Sequence, residues 1–382
     1  MPAEAPPEIK IAVGDKIGDK YVVKKKLGEG SCGQVFLVND KNENLLAMKV
    51  EPKMKNREEE ILKMEIYVLK KLQKSKHVCR FYSSGVQANY SYVVMSLLGH
   101  ELSELRRRCP GRRMGHSTVL RIAIQAVAGI EDMHNAGFIH RDLKPTNLAI
   151  GNKLKHSVFL FDFGLARQIM ITDKAGKMTL REPRKKASFR GTVRYCSLNV
   201  HLAKEQGRHD DLWSILHSMI ELATGTLPWK GSTRKEAEKI KASVTEKQLF
   251  RGVPRSLLFL YKQILPLQYN DTPNYSHIKG AIAKEIKAKK VTMTDPFEWD
   301  KPVTSTMSAV GKEKEKETNK DAHPECDKGA DNDTNKDVDE NAQSATSELS
   351  NNESINDYDI ENTLENVQDV KESFRETRDD KT

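Results

Sequence analysis

The residues with the clearest chemical meaning run His140-Arg141-Asp142-Leu143-Lys144-Pro145-Thr146-Asn147, followed fifteen residues after Asn147 by Asp162-Phe163-Gly164. Carboxylate and carboxamide oxygens are hard donors, suited to a magnesium ion that also carries a nucleotide's phosphates. An Asp on a tight loop beside them can orient a hydroxyl for attack, and a neighbouring Lys can steady the group in flight. Asp142 is the candidate base, Lys144 the phosphate-facing cation, and Asn147 with Asp162 the candidate metal ligands. The chemistry implied is phosphoryl transfer. General-base assistance supplies only about 10²–10⁴-fold, so most of the rate must come from positioning and charge neutralisation.

Upstream, Gly28-Glu29-Gly30-Ser31-Cys32-Gly33-Gln34-Val35 forms a G-x-G-x-x-G-x-V. Glycines let the backbone turn tightly and approach phosphates without a Cβ in the way. A dinucleotide site uses similar glycines, but there the loop opens a helix and an acidic residue follows about twenty positions on. Here the loop opens a β-branched strand, and the residue 21 positions after Gly28 is Lys49. A cation there suits a polyphosphate rather than a ribose hydroxyl, which argues against a dehydrogenase. Glu65, on the next predicted helix, is the natural partner to hold Lys49 against the α- and β-phosphates.

The elements that must position these groups change character along the chain. Tyr21–Val23, Gln34–Val38 and Leu45–Val50 are short apolar runs broken by turn residues, and Tyr90–Leu98 is another, ending at Gly99. Between them, Glu59–Gln73 carries Leu62, Ile66 and Leu69 at helical spacing. From Glu101 the pattern turns helical: Ser117–His134, with Ser117 as expected N-cap, then Asp211–Thr224 and Arg255–Leu265. Strands first and helices afterward predict an α+β, two-lobed body.

The 382-residue chain has a net charge of +9, which conceals an uneven distribution. Residues 301–382 hold 11 Lys and Arg against 22 Asp and Glu, so residues 1–300 carry about +20. The acidic segment is poor in apolar residues and is expected to be disordered. Its hydroxyls, including Ser344, Thr346, Ser347, Ser350 and Ser354, lie among acidic neighbours. A solubilising tail and a pseudosubstrate that folds back on a basic cleft are both compatible with that composition. The expected divisions are a flexible lead-in at 1–17, a catalytic domain at 18–300 and the tail at 301–382. Within the domain, a small lobe at about 18–95 joins a large lobe at 100–300 through a hinge at 96–99. Five cysteines show neither CxxC nor zinc-like spacing. No apolar run approaches the ~18 residues that span a bilayer, and the N-terminus lacks an apolar signal core. A cytoplasmic location is expected, with the nucleus as the alternative. Nucleic acid is a poor match for the basic charge, because no recognition motif or aromatic stacking pattern accompanies it.

Taken together, the glycine loop, strand lysine, helix glutamate, H-R-D-x-K-x-x-N and D-F-G occur in the order found in eukaryotic protein kinases, and residues 20–300 resemble that family. Lys144 with Gly191-Thr192 resembles the serine/threonine branch. Where most kinases have Ala-Pro-Glu, this chain has Gly191-Thr192-Val193-Arg194-Tyr195-Cys196-Ser197-Leu198-Asn199, similar to the casein kinase 1 superfamily. Phe189–Tyr195, Arg208–Ser214 and Asp295-Pro296-Phe297-Glu298-Trp299 resemble its tau-tubulin kinase branch most.

The resemblance implies a bilobal kinase fold using ATP and Mg²⁺. It assigns Leu27, Gly28, Gly30, Gly33, Val35, Ala47, Met95, Ser96 and Leu98 to the nucleotide pocket beside Lys49 and Glu65. It also implies an anion site made by Arg194, Gly231 and Lys239, hence acidic or phosphorylated protein substrates, cytoskeletal ones among them. A monomeric enzyme is expected. The competing reading is a pseudokinase that binds nucleotide or partners without turnover. Three departures stand out: Cys32 where an aromatic often caps the glycine loop, Asn199 where a glutamate usually forms a buried ion pair, and Leu216 where a glycine is common.

Overall fold

In a computed structural model of the chain, residues 9–30, 33–53, 60–172 and 176–300 are described. Cys32 of the glycine-rich motif, the first eight residues and the acidic tail from 301 lie outside them.

The N-terminal part is a six-stranded antiparallel sheet with one helix. Strands β1 (Lys16–Ile17), β2 (Tyr21–Gly30), β3 (Gly33–Asn39) and β4 (Leu45–Pro52) precede helix α1 (Glu60–Lys71), and β5 (Phe81–Val86) and β6 (Tyr90–Ser96) follow it. Their order in the sheet is β1-β2-β3-β4-β6-β5. Side chains alternate between faces of a strand, and the sheet uses both. Phe36, Val38, Leu46, Met48, Val50, Tyr92 and Val94 form a core on one face. Ala47, Lys49, Glu51, Val93 and Met95 take the other parity, toward α1 and the cleft. Residues of α1, including Leu62, Ile66 and Leu69, join a second core continuous with the C-terminal part. That shared core makes α1 the mechanical link between the lobes.

The expected strand through Leu98 ends earlier, at Ser96. Leu98–Glu101 forms a separate strand, β7, which pairs with a strand of the C-terminal lobe. After it come α2 (Leu102–Arg108), α3 (His116–Asn135), β8 (Phe138–Ile139), β9 (Leu148–Gly151) and β10 (Val158–Leu160). Strand β9 lies between β10 and β7. The short β11 (Arg167–Gln168) pairs with β8, and β12 (Met170–Thr172) pairs with β13 (Met178–Leu180). Helices α4 (Leu198–His201), α5 (Arg208–Thr224), α6 (Arg234–Ser243), α7 (Glu246–Leu249), α8 (Arg255–Ile264) and α9 (Tyr275–Ala288) complete the lobe.

Helix α5 is buried on nearly every side, from Arg208 to Ala223. A helix enclosed all round is the core of its lobe; α3 and α8 pack against it, and α9 packs against those two. Leu216 is fully buried there; a glycine at that position would forfeit core volume and helix propensity.

Ser117 does not cap α3. The helix begins at His116 with Gly115 as the N-cap residue, and no side chain of its own caps it. Glu298 supplies the acceptors instead: its Oε1 takes the Gly115 N–H at 3.0 Å and its Oε2 the Thr118 hydroxyl at 2.5 Å. A carboxylate at a helix N-terminus also meets the positive end of the helix dipole. Local sequence does not reveal a cap that arrives from 180 residues downstream.

Candidate active site

The segment 140–147 leaves β8 and enters β9, and its backbone is held from below by α5. Asp211 accepts the N–H groups of His140 and Arg141, each at 2.8 Å, and lies 2.9 Å from His134 Nε2. Burial raises the Asp211 carboxyl, but the His134 bond and charge outweigh it and hold the group below its usual range. Arg141 and Asp162 both adopt positive φ, 68° and 64°. A non-glycine residue there costs roughly 1–3 kcal/mol, so the surroundings must impose it. Asp211 does so for Arg141, whose Nε also donates to Leu165 O at 2.7 Å. Phe163 is buried against His140, with ring centroids 5.5 Å apart, and anchors the turn that carries Asp162.

Three of the expected catalytic residues meet within this loop. Lys144 Nζ lies 2.9 Å from Asp142 Oδ2. Asn147 Nδ2 donates to Asp142 O at 2.9 Å, leaving its carboxamide oxygen as the atom for a cation. A fourth member was not assigned from sequence: Thr192 donates its hydroxyl proton to Asp142 Oδ1 at 2.7 Å and accepts from Lys144 at 3.1 Å. Its approach depends on Gly191, which has φ 109°; a Cβ there would strike Arg141 O. The adjacency Gly191-Thr192 was visible in the sequence, but its contact with Asp142 spans 50 residues.

Lys49, on β4, bridges Glu65 of α1 at 2.6 Å and Asp162 at 3.0 Å. Burial works against the ammonium, and the two carboxylates override it, so Lys49 remains a cation. Asp162 is likewise held low by Lys49 despite its burial. Two residues along the same strand, Glu51 accepts the Leu62 N–H at 2.9 Å, in the first turn of α1. Lys49 and Glu51 thus tie strand to helix at two successive points. Burial pushes the Glu51 carboxyl up to about 7, against the Leu62 bond and the Lys49 charge.

Of the residues expected at the nucleotide pocket, Val35, Ala47 and Met95 share the face of the sheet that carries Lys49. Ala47 is paired with Met95, and Val35 lies between Gly28 and Lys49 in the β2-β3-β4 register. Leu27 is half exposed at the loop. Gly33, at φ 120°, is required by the backbone, since a Cβ would collide with Val50 O, whereas Gly28 and Gly30 face open space. Ser96 N–H donates to Arg80 O at 2.9 Å, and its hydroxyl accepts from Arg80 N at 3.0 Å. These Ser96 groups are therefore engaged within the lobe, and Leu98 begins β7 beyond it. Among the described residues no group of three or more His, Cys, Asp or Glu is placed to hold a metal. Two oxygen donors, Asn147 and Asp162, suit Mg²⁺, which keeps waters and binds through phosphates instead of a full protein cage.

Toward the substrate side, Arg194 contacts the buried Glu221 at 3.5 Å, and Trp229 Nε1 donates to Arg194 O at 2.7 Å. Gly231 follows Trp229 at φ 78°. Lys239 is exposed on α6, while Lys241, two residues on, turns inward. Asn199, itself uncharged, bonds His209 at 3.0 Å and donates to Asp210 Oδ1 at 3.2 Å. A carboxylate contact with arginine occurs instead at Glu205, where Arg184 donates through Nε at 2.5 Å and Nη2 at 3.1 Å, and Arg167 lies 3.6 Å away. Burial and the charges of Arg167 and Arg184 lower the basicity of Arg141, with Glu205 opposing.

The chain matches the protein kinase domain family over residues 21–287. A provisionally named serine/threonine-protein kinase of Dictyostelium discoideum is 36% identical over 304 residues, covering 78% of this chain and 60% of the relative's own length. A provisionally named serine/threonine-protein kinase of Caenorhabditis elegans is 38% identical over 306 residues, 78% of this chain and 87% of the relative. Casein kinase I homolog 3 of Schizosaccharomyces pombe is 34% identical over 297 residues, 74% of this chain and 66% of the relative.

Proposed function

This chain belongs to the protein kinase family, among serine/threonine kinases, and we propose that it transfers the γ-phosphate of Mg-ATP to serine and threonine hydroxyls of proteins. The observation that carries the reading is the assembled set of charges. Lys49 lies within 3.0 Å of both Glu65 and Asp162, and Asp142 contacts Lys144 and Thr192.

Bound Mg-ATP supplies an electrophilic phosphoryl group whose charge is partly neutralised. The protein supplies the rest. Asp142 accepts the proton of the incoming hydroxyl and orients it for in-line attack. Lys144 lies close enough to Asp142 to neutralise charge developing on the transferred group. Lys49, locked by Glu65, binds the α- and β-phosphates, and Asn147 and Asp162 would hold the metal. Thr192 fixes the Asp142 rotamer, so the base is oriented before substrate arrives.

For substrate class, the reading is acidic or phosphoprimed protein segments, on a member of the casein kinase 1 superfamily near its tau-tubulin kinase branch, cytoskeletal targets included. Support comes from the G-T-V-R-Y stretch at 191–195 and from the exposed Lys185, Lys186, Lys204, Lys230 and Lys239 around it. A planar guanidinium at Arg194 suits phosphate or carboxylate, although it shares its charge with Glu221. The 295–299 segment, part of the same resemblance, is built into the lobe: Arg121 stacks over Phe297 at 4.0 Å, and Phe297 stacks on Trp299. A cytoplasmic, monomeric enzyme completes the proposal.

The test is γ-phosphate transfer from Mg-ATP to casein and to an acidic peptide, with Asp162→Ala as control. Transfer by wild type alone supports the reading, and nucleotide binding without transfer would leave the pseudokinase. An unchanged ratio of activity on primed and unprimed peptides in Arg194→Ala would remove the anion preference.

A further inference from the structure

Residues 193–196 belong to no helix or strand, yet each of their four consecutive carbonyls faces a side-chain nitrogen from elsewhere in the lobe. Lys241 of α6 donates to Val193 O at 2.6 Å and to Cys196 O at 2.7 Å. Trp229 Nε1 donates to Arg194 O at 2.7 Å, and His217 Nδ1 of α5 lies 2.9 Å from Tyr195 O. The Lys241 ammonium also lies 3.1 Å from His201 Nε2, and 5.2 Å from the centroid of the Trp229 ring.

Lys241 is largely buried, and among the described residues no carboxylate forms an ion pair with it. A buried ammonium without a counter-charge is costly, and an apolar side chain of similar length would fill the space more cheaply. Carbonyl dipoles, an imidazole nitrogen and an indole face are what hold the charge here. The loop it grips is tied to the catalytic centre: Thr192 O accepts the N–H groups of Tyr195 and Cys196, each at 3.0 Å. Thr192 in turn bonds Asp142 and Lys144 through its hydroxyl.

We propose that Lys241 is a positioning residue for protein substrate, clamping the 192–196 loop so that Thr192 stays against Asp142 and Lys144. The inference rests on the kinase reading above and assigns its substrate-side geometry to a residue outside the catalytic motifs. Lys239, the residue the family resemblance singles out, lies exposed on the same helix, so the two lysines have separable roles.

The experiment compares wild type, Lys241→Met and Lys241→Arg of the full chain, with casein as substrate. Misplacing a substrate-positioning element by about 1 Å can cost about 10²-fold, so Lys241→Met is expected to lose about 10–100-fold in kcat/KM for casein. KM for ATP should stay within about twofold, because Lys49 and the glycine loop are untouched. Lys241→Arg, which keeps charge and donors, should recover most of the loss. Amide exchange at Val193–Cys196 should accelerate in Lys241→Met, a readout independent of turnover. Unchanged exchange, or kcat/KM for casein within twofold of wild type, would overturn the proposal. So would an equal rise in KM for ATP, which would indicate general loosening. If wild type itself fails to phosphorylate casein, the kinase reading fails, while the exchange comparison still decides whether Lys241 clamps the loop.

Discussion

Replacing Glu205 by Gln removes one charge and little volume from a site where the charges are badly balanced. Glu205 is buried, with its side chain 2% exposed, and faces Arg184 and Arg167. Arg184 and Arg167 lie on either side of the segment after Asp162, and Arg141, whose basicity their charges lower, belongs to the loop that carries Asp142. One carboxylate on the C-terminal lobe therefore fastens that segment at two points, Arg167 and Arg184. Two opposite charges at 4 Å are worth about 4 kcal/mol at an effective dielectric near 20. The two arginines thus draw a gross attraction of several kcal/mol, offset by the cost of desolvating the carboxylate. Breaking a buried pair by removing one partner costs about 3–5 kcal/mol. At roughly 2–4 °C per kcal/mol for a domain of this size, Glu205→Gln should lower Tm by about 6–20 °C. Activity should fall further than global stability implies, because the segment can loosen before the lobe unfolds. The assay is thermal unfolding with parallel casein phosphorylation at a temperature well below both transitions. A polyvalent anion such as sulfate should restore part of the loss by taking the carboxylate's place. Burial raises the Glu205 carboxyl, but the Arg184 bond and the arginine charges hold it below its ordinary 4.5. The contribution is therefore complete above that value and lost as pH falls through the lowered one. A variant with Tm within about 1 °C of wild type and unchanged activity would refute the reasoning, since the arginines would then not need the carboxylate.

Other outcomes follow from the same geometry. Thr192→Val removes the hydroxyl between Asp142 and Lys144 at nearly constant volume, and should lower kcat by about 10–10²-fold with KM for ATP little changed; steady-state kinetics decides. His217 is lowered to about 3 and His201 to about 4, each first by burial and then by the Lys241 charge. Between those values and 6.5 the unfolded chain binds protons the folded one refuses, so stability is full above 6.5 and declines as pH falls. Melting scans from pH 7 to 5 should show this decline, flattened in His201→Gln/His217→Gln. Glu51 has the opposite sign: raised to about 7, it holds a proton in the folded state that the unfolded chain releases near 4.5, so its contribution weakens as pH rises across that window. Glu51→Gln should then raise Tm at pH 8 and not at pH 5; equal shifts at both would contradict it. Glu298→Ala should destabilise by about 1–2 kcal/mol, the worth of a helix cap, measurable in urea.

The candidate catalytic centre was legible because its residues are close in sequence and chemically specific. Asp142, Lys144 and Asn147 lie within six positions, and the structure brings them together with Asp162, Lys49 and Glu65. Helices α1, α3, α5 and α8 were legible from their periodicity to within a few residues. What escaped was decided by contacts across large separations. The Glu298 cap on α3 displaced the local candidate Ser117, and Leu98–Glu101 became a strand of the other lobe because β9 offered it a partner. Thr192, Asp211, Glu205 and Lys241 carry no short motif that states whom they touch.

By itself, then, the sequence determined which groups are proposed to perform the chemistry, because reacting atoms demand particular residue types at short range. Beyond the Lys49–Glu65 pair, tertiary structure decided what holds those groups still. Asp211 supports the strained backbone at Arg141, Thr192 orients Asp142, Glu205 fastens Arg167 and Arg184, and Lys241 grips the substrate-side loop. The physical reason is that a hydrogen bond or a buried charge needs a partner at about 3 Å, and any part of the chain that the fold delivers to that point can provide it.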